Sequence, residues 1–248
     1  MTGRVKTGIK GLDKALNGGI PEGNLVLVSG GAGTGKSTLC MQYIINGAKS
    51  GEKSIYITTE QTRKELDRLA KCFGWNLKQL ESKGKLRIFY LDINAITNFL
   101  DTLIEEIHAF KPKRIAIDSL TTLTDNLAIT DFRDKTGFSM VQFMENTFPT
   151  NLSEKLVTKN VLYSLINKLK HEVGVTTLLT SELYETSKGL SADGVSEFIV
   201  DGVMTLSYMK IGVIEDRSLR IRKMRYTDHS KDYFLYEFSP KGITIKEG

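Results

Sequence analysis

The stretch Asn24–Thr38 reads NLVLVSGGAGTGKST. Its first part is a short apolar, β-branched run that ends in glycines, the pattern of a buried strand. Its second part opens a helix pattern that continues from Lys36 to Lys49. A strand that hands over to a helix through a glycine-rich turn begins a layered α/β fold. Within the turn, Gly30-Gly31-Ala32-Gly33-Thr34-Gly35-Lys36-Ser37 satisfies G-x-x-x-x-G-K-[ST] in full.

Such a turn has a direct chemical use. Glycines let the backbone wrap a phosphate chain with its N–H groups pointing inward. The helix N-terminus adds a partial positive charge. Lys36 would set a cation on the β- and γ-phosphates, and the Ser37 hydroxyl would ligand Mg²⁺.

Outward from this unit, strands and helices alternate. Ser54–Thr59, Leu86–Leu91, Arg114–Asp118 and Val175–Thr180 read as strands, and Glu60–Phe73, Phe99–Phe110 and Leu162–Val173 as helices. From about Phe198 the pattern changes to consecutive strands at Val203–Met209, Ser218–Met224, Tyr233–Phe238 and Ile243–Lys246. The expectation is one layered α/β domain over residues 1–248, with a mostly parallel twisted sheet that is flanked by helices and finishes antiparallel. The segment Thr121–Lys159 is too long for an ordinary connection, so it is either a functional loop or hides a helix, with Met140–Asn146 as candidate.

Two carboxylates fall at strand ends. Asp118 closes Arg114–Ile117, where a carboxylate would hold the Mg²⁺ shell beside Ser37. Glu60 follows Ser54–Thr59 directly, beyond the carboxyl end of a parallel strand, where ligands of open α/β sheets bind. There it could orient and deprotonate an attacking water. The plainer alternative makes Glu60 a first-turn acid of the next helix.

Composition sets the outer limits. With 248 residues, 40% hydrophobic and 25% charged, the chain is neither disordered nor low-complexity. No run approaches the roughly 20 apolar residues of a membrane span, and the first residues lack a signal-peptide core, so a cytoplasmic protein is expected. Cys40 and Cys72 make no disulfide scaffold. A net charge of +5 permits contact with polyanions without demanding it. His108 and His171 sit near helix C-termini and Trp75 ends a helical segment, all read as structural.

Further motifs carry a resemblance. Thr7-Gly8-Ile9-Lys10-Gly11-Leu12-Asp13, Gly18-Gly19-Ile20-Pro21-Glu22-Gly23, the phosphate loop, Glu60, Asp118-Ser119-Leu120, Thr180-Ser181-Glu182, Glu197 to Val203, and Lys223-Met224-Arg225 with His229 together resemble a KaiC-type domain of the RecA superfamily. The resemblance implies a RecA-like core over the single domain, ATP hydrolysis with Mg²⁺ and a hexameric ring with ATP at subunit interfaces. It assigns ATP contacts to Gly31, Ala32, Gly33, Thr34, Gly35, Lys36, Ser37, Thr38 and Ser181, and catalysis to Lys36 and Glu60. Ser37 and Asp118 would serve the metal.

Three departures accompany it. Glu60-Gln61 stands where the family often has two acids, and Tyr226 replaces the glycine of K-[LM]-R-G. Glu197-Phe198 occupies the place of the Ser-Thr phosphoacceptors of self-phosphorylating domains, which implies the ATPase type.

Arg217, Arg220, Arg222, Lys223 and Arg225 crowd nine positions. Residues i and i+2 of a strand share a face, so Lys223 and Arg225 are expected to project together with an anion between them. The resemblance makes that anion a neighbouring subunit's γ-phosphate, with His229 and Lys231 nearer the nucleotide's other end. Two other readings share the nucleotide site. One is a RadA-like recombinase paralogue binding single-stranded DNA through Thr121–Lys159, where the phenylalanines Phe132, Phe138, Phe143 and Phe148 stand among more acids than bases. The other is a protein kinase acting on itself or on an unknown protein partner.

Overall fold

The computed structural model describes residues 3–91, 99–123, 159–160, 162–183, 189–211 and 214–246. Most of Thr121–Lys159, including Met140–Asn146 and the four phenylalanines, lies outside the described residues.

In chain order the elements are β1 (Arg4–Val5), α1 (Leu12–Ala15), β2 (Ile20–Pro21), β3 (Leu25–Gly30), α2 (Lys36–Lys49), β4 (Ser54–Thr58), α3 (Arg63–Cys72), α4 (Leu77–Ser82), β5 (Leu86–Tyr90), α5 (Phe99–Phe110) and β6 (Arg114–Asp118). A helix over residues 162–167 then runs into a π-helical turn, Lys168–Val173. The chain continues through β7 (Thr177–Glu182), α6 (Ser196–Ile199), β8 (Gly202–Ile211), β9 (Ile214–Met224), β10 (Tyr233–Ser239) and β11 (Gly242–Ile245).

Among the described residues, nine strands form one sheet in the order β11-β10-β9-β8-β3-β7-β6-β4-β5. The pairings from β8 to β5 are parallel, and β9, β10 and β11 attach antiparallel, as the change of pattern after Phe198 predicts. A short ladder, β1 with β2, stands apart.

The central strands β3, β4 and β6 are buried on both faces, which is why they are almost continuously apolar. Successive side chains of a strand alternate between the faces. On β3, Val26 and Val28 pack with α2 in one core, whereas Leu25 and Leu27 pack with α5 and the 162–167 helix in the other. Helix α2 is apolar nearly all round because it lies between the sheet and the β11 edge. Its Gln42 side chain continues the ladder there, donating to the Ile243 carbonyl (3.1 Å) and accepting from the Ile243 N–H (2.7 Å). Trp75 is buried against Phe73, ring centroids 4.9 Å apart, as the structural reading expects.

Two boundaries differ in ways that matter. Helix α3 starts at Arg63, because Thr62 caps it in a reciprocal capping box with Glu65. Glu60 therefore precedes the helix and is no first-turn acid. Strand β7 runs to Glu182, which carries Ser181 inside the sheet beside Ser29.

Candidate active site

The carboxyl ends of β3, β7, β6 and β4 lie side by side, because these strands are parallel neighbours. Strand β7 separates β3 from β6 by two strand spacings, roughly 10 Å. A cavity of about 350 Å³ occupies this crevice, lined by Ala32, Gly33, Gly35, Lys36, Ser37, Thr38, Glu60, Gln61, Leu69, Asp118, Ser119, Glu182 and Phe238. One site thus gathers the phosphate loop, both strand-end carboxylates and the start of α2.

The loop holds its shape by close approach. Gly33 and Gly35 have φ of 73° and 96°, a region open to glycine. A Cβ on Gly30 would sit 2.3 Å from the Leu206 carbonyl oxygen, and one on Gly35 2.8 Å from the Phe238 ring. Two tyrosines tie the loop down from β8 and β10. Tyr208 donates to the Gly33 carbonyl at 3.0 Å, and Tyr236 donates to the Thr34 carbonyl. Burial pushes the Tyr236 phenol well up, so it stays a donor at neutral pH. Lys36 Nζ lies across the loop, donating to the carbonyls of Gly30 (3.0 Å) and Gly31 (3.1 Å), with Glu182 Oε1 at 3.8 Å.

Asp118 is buried and held by both oxygens. Thr180 Oγ1 donates to one at 2.6 Å and the Tyr56 hydroxyl to the other at 2.5 Å. Burial first, and the Asp118 carboxylate second, push the Tyr56 phenol up, so the phenol keeps its proton and stays the donor to Asp118. Glu60 is exposed at the cavity edge, and its Oε1 accepts from Ser119 Oγ at 2.7 Å and from the Thr122 hydroxyl. The strand ends that carry the two acids are laced together: Thr59 N–H donates to the Asp118 carbonyl at 2.9 Å, and Ser119 N–H to Thr59 Oγ1 at 3.2 Å. Ser181, one strand from the loop, accepts from the Ala192 N–H at 3.2 Å.

Lys223 and Arg225 lie elsewhere. Strand β9 runs antiparallel to β8 and pairs Met224 with Gly202, while Gly202 pairs with Val26 and Leu206 with Gly30. The end of β9 therefore stands four residues, roughly 13 Å, from the level of Gly30, toward the amino-terminal end of β3. One part of the sequence-based picture changes here: strand β9 stops at Met224, so Arg225 lies beyond it and the shared strand face does not hold for the pair. Lys223 Nζ donates to the carbonyls of Glu197 (3.1 Å), Phe198 (3.2 Å) and Val200 (2.6 Å), which close the end of α6. Arg225 Nη1 binds Asp201 Oδ1 at 3.0 Å, and Lys170 Nζ reaches the same oxygen at 2.8 Å. Burial, then the Arg225 guanidinium, lower the Lys223 ammonium below the usual lysine range. His229 Nδ1 contacts the Ser230 carbonyl at 2.8 Å, and Lys231 is exposed. None of these four residues lines the crevice beside Lys36.

Comparison with known proteins decides the family. The model of the family described as "ATPase: KaiC" matches residues 5–152 and 145–248. The chain belongs to the KaiC ATPase family. A UPF0273 protein of Thermotoga maritima is 32% identical, over 99% of this chain and 96% of its own length. The circadian clock oscillator protein KaiC of Parasynechococcus marenigrum is 30% identical over 98% of this chain, which spans 44% of that longer protein. Among solved structures, a KaiC-like protein of the hyperthermophilic archaeon Pyrococcus horikoshii OT3 superposes with a TM-score of 0.81 at 33% identity, covering both chains fully.

The departures from the KaiC pattern now have places. Tyr226 is 76% exposed at φ 61°, a backbone region that suits the glycine it replaces. Glu197 is buried and accepts from the Leu190 N–H (3.2 Å) and the Ser191 hydroxyl, whereas Phe198 is 70% exposed. The neighbouring hydroxyl, Ser196, is fully buried and donates to Asp193 at 2.5 Å. Tyr56, Tyr208, Tyr236 and Phe238 are site residues that the motifs do not mark, whereas Thr180 belongs to the Thr180-Ser181-Glu182 motif. The alternation of β10, with Tyr236 and Phe238 on one face, is the local signal that points to two of them.

Proposed function

We propose that this KaiC-family protein hydrolyses ATP with Mg²⁺, in an oligomeric ring whose active sites are completed by a neighbouring subunit. The observation that carries hydrolysis is the single crevice holding the glycine loop, Lys36, Ser37, Asp118 and Glu60. These residues fit the group they would hold. The loop is closed to any Cβ at Gly30 and Gly35, so backbone N–H groups line it, and an anchored carboxylate and a hydroxyl face the cavity together. Ser37 and Asp118 would hold Mg²⁺, which supplies charge neutralisation at the β- and γ-phosphoryl oxygens.

The chain's own groups divide the work. Lys36 exchanges its carbonyl partners for phosphate oxygens. Glu60, kept in place by Ser119 and Thr122, accepts the proton of the attacking water. Tyr56 and Thr180 hold Asp118 in position by donating to both of its oxygens. Ser181 and Glu182, beside the loop on β7, are placed to sense the γ-phosphate.

The distance of Lys223 and Arg225 from the crevice supports completion by another copy. An arginine supplied to phosphoryl transfer from outside the subunit is worth about 10³–10⁵ in rate. A closed ring of identical copies offers the same end of one chain to the crevice of the next. His229 and Lys231 accompany Arg225 toward the far end of that nucleotide. Kinase activity at Glu197-Phe198 finds no support, since neither side chain has a hydroxyl.

The test is calorimetric binding and phosphate release with and without Mg²⁺. The parent chain should bind ATP and turn over only with the metal, and Lys36→Ala should bind no ATP. Turnover by Lys36→Ala at the parent rate would overturn the assignment.

A further inference from the structure

Helix α2 has two ends, and only one faces the nucleotide crevice. At the other, about 20 Å away by the rise of a 14-residue helix, lies a second cavity of about 500 Å³ between the end of α2 and α4. Its volume falls within the range of small-molecule sites. Lys49, Lys83 and Lys85 line it, and no carboxylate does.

The acids nearest in sequence are engaged elsewhere. Glu52 binds Arg114, and both oxygens of Glu81 are taken by Arg63 at 2.8 Å. Among the described residues, no hydrogen bond or ion pair occupies the ammonium groups of Lys49, Lys83 or Lys85. Three uncompensated cations around one concavity create a positive potential focused by its walls. Two amides add neutral donors. Asn76 Oδ1 accepts from the Gln79 N–H at 3.0 Å, so its NH₂ remains available, and the Gln79 amide stands beside it. Ala48 and Leu80 are buried and form an apolar floor.

We propose that this cavity binds a small phosphorylated organic molecule, its phosphate among the three lysines and its apolar part on Ala48 and Leu80. Ammonium groups on flexible stems suit a phosphate as point charges, without the planar fork an arginine would impose. The site is independent of the nucleotide crevice, because none of its residues lines both cavities.

Calorimetric titration of the full chain with inorganic pyrophosphate, with inorganic phosphate and with phenyl phosphate, in metal-free buffer, tests this. Two binding events are expected for pyrophosphate. The Lys49→Gln, Lys83→Gln, Lys85→Gln triple variant should weaken one of them by about tenfold or more, since three cations facing the phosphate are lost together. Lys36→Ala should remove only the other. Lys78→Gln, an exposed lysine of α4 outside the cavity, should change neither, and unchanged melting temperatures would show that all variants are folded. Phenyl phosphate should bind the second site more tightly than inorganic phosphate does. A single event that vanishes in Lys36→Ala and survives the triple variant would overturn the site. Equal affinity for phenyl and inorganic phosphate would overturn the organic ligand.

Discussion

The two ends of the β3–β8–β9 part of the sheet are built by opposite means. At the carboxyl end of β3, neutral hydroxyls tie the site down: Tyr208 and Tyr236 hold the loop, and Tyr56 and Thr180 hold Asp118. The charged groups Lys36 and Glu60 are left facing a cavity. At the amino-terminal end, charges compensate one another, with Asp201 between Lys170 and Arg225 and with Lys223 spent on three carbonyls. One end is prepared for a ligand of its own, and the other holds its cations in reserve. Residues that the motifs assign to one nucleotide therefore stand at opposite ends of one chain. Within a single copy the proposed catalytic set is divided.

Removing Arg225 breaks this division most sharply. Arg225→Ala should lower turnover by about 10³-fold or more, while ATP binding persists because the loop is untouched. The fold should survive too, since Asp201 keeps Lys170 as partner. Steady-state phosphate release beside equilibrium ATP binding reads both quantities. A loss of binding as large as the loss of rate would place Arg225 outside catalysis.

Glu60→Gln acts at the other end. The amide oxygen can still accept from Ser119 and Thr122, so geometry is kept and only the base is lost. Turnover should fall by about 10²–10⁴ with ATP retained, and a variant as fast as the parent would remove Glu60 from its role.

The smallest effect concerns pH. Burial raises the Tyr56 and Tyr236 phenols above their usual value of 10. A raised folded-state pKa contributes stability that is complete below the unfolded value and is lost as pH rises past it. Melting temperature should therefore hold steady up to about pH 10 and fall above it, each phenol contributing at most about 1.4 kcal/mol per pH unit. Tyr236→Phe should flatten that fall. An unchanged slope would mean that the hydroxyls do not fasten this end.

How much of this was readable beforehand depends on the range of each interaction. Helix α2 is legible because its glycine start, buried periodicity and length are all local, and the motif and the structure agree on Lys36–Lys49. Asp118 and Glu60 are legible because parallel strands place their carboxyl ends together. Tyr236 on Thr34 and Tyr208 on Gly33 span 202 and 175 residues, and no local pattern pairs them. The antiparallel turn of the sheet after Phe198 can be read from the missing helices. That it carries Lys223 and Arg225 to the far end follows only from the register of β9 on β8 and of β8 on β3. Arg225 escapes the strand-face argument because β9 ends one residue earlier.

Mixing the two defective subunits tests the divided site most directly. Arg225→Ala and Glu60→Gln chains are each expected to be nearly inactive alone. After subunit exchange, demonstrated by differential labelling, some interfaces pair an intact Glu60 with an intact Arg225, and ATP turnover should reappear in proportion to them. A mixture that stays inactive despite proven exchange, or a dilute monomer that hydrolyses ATP as fast as the assembly, would contradict completion of the site between copies.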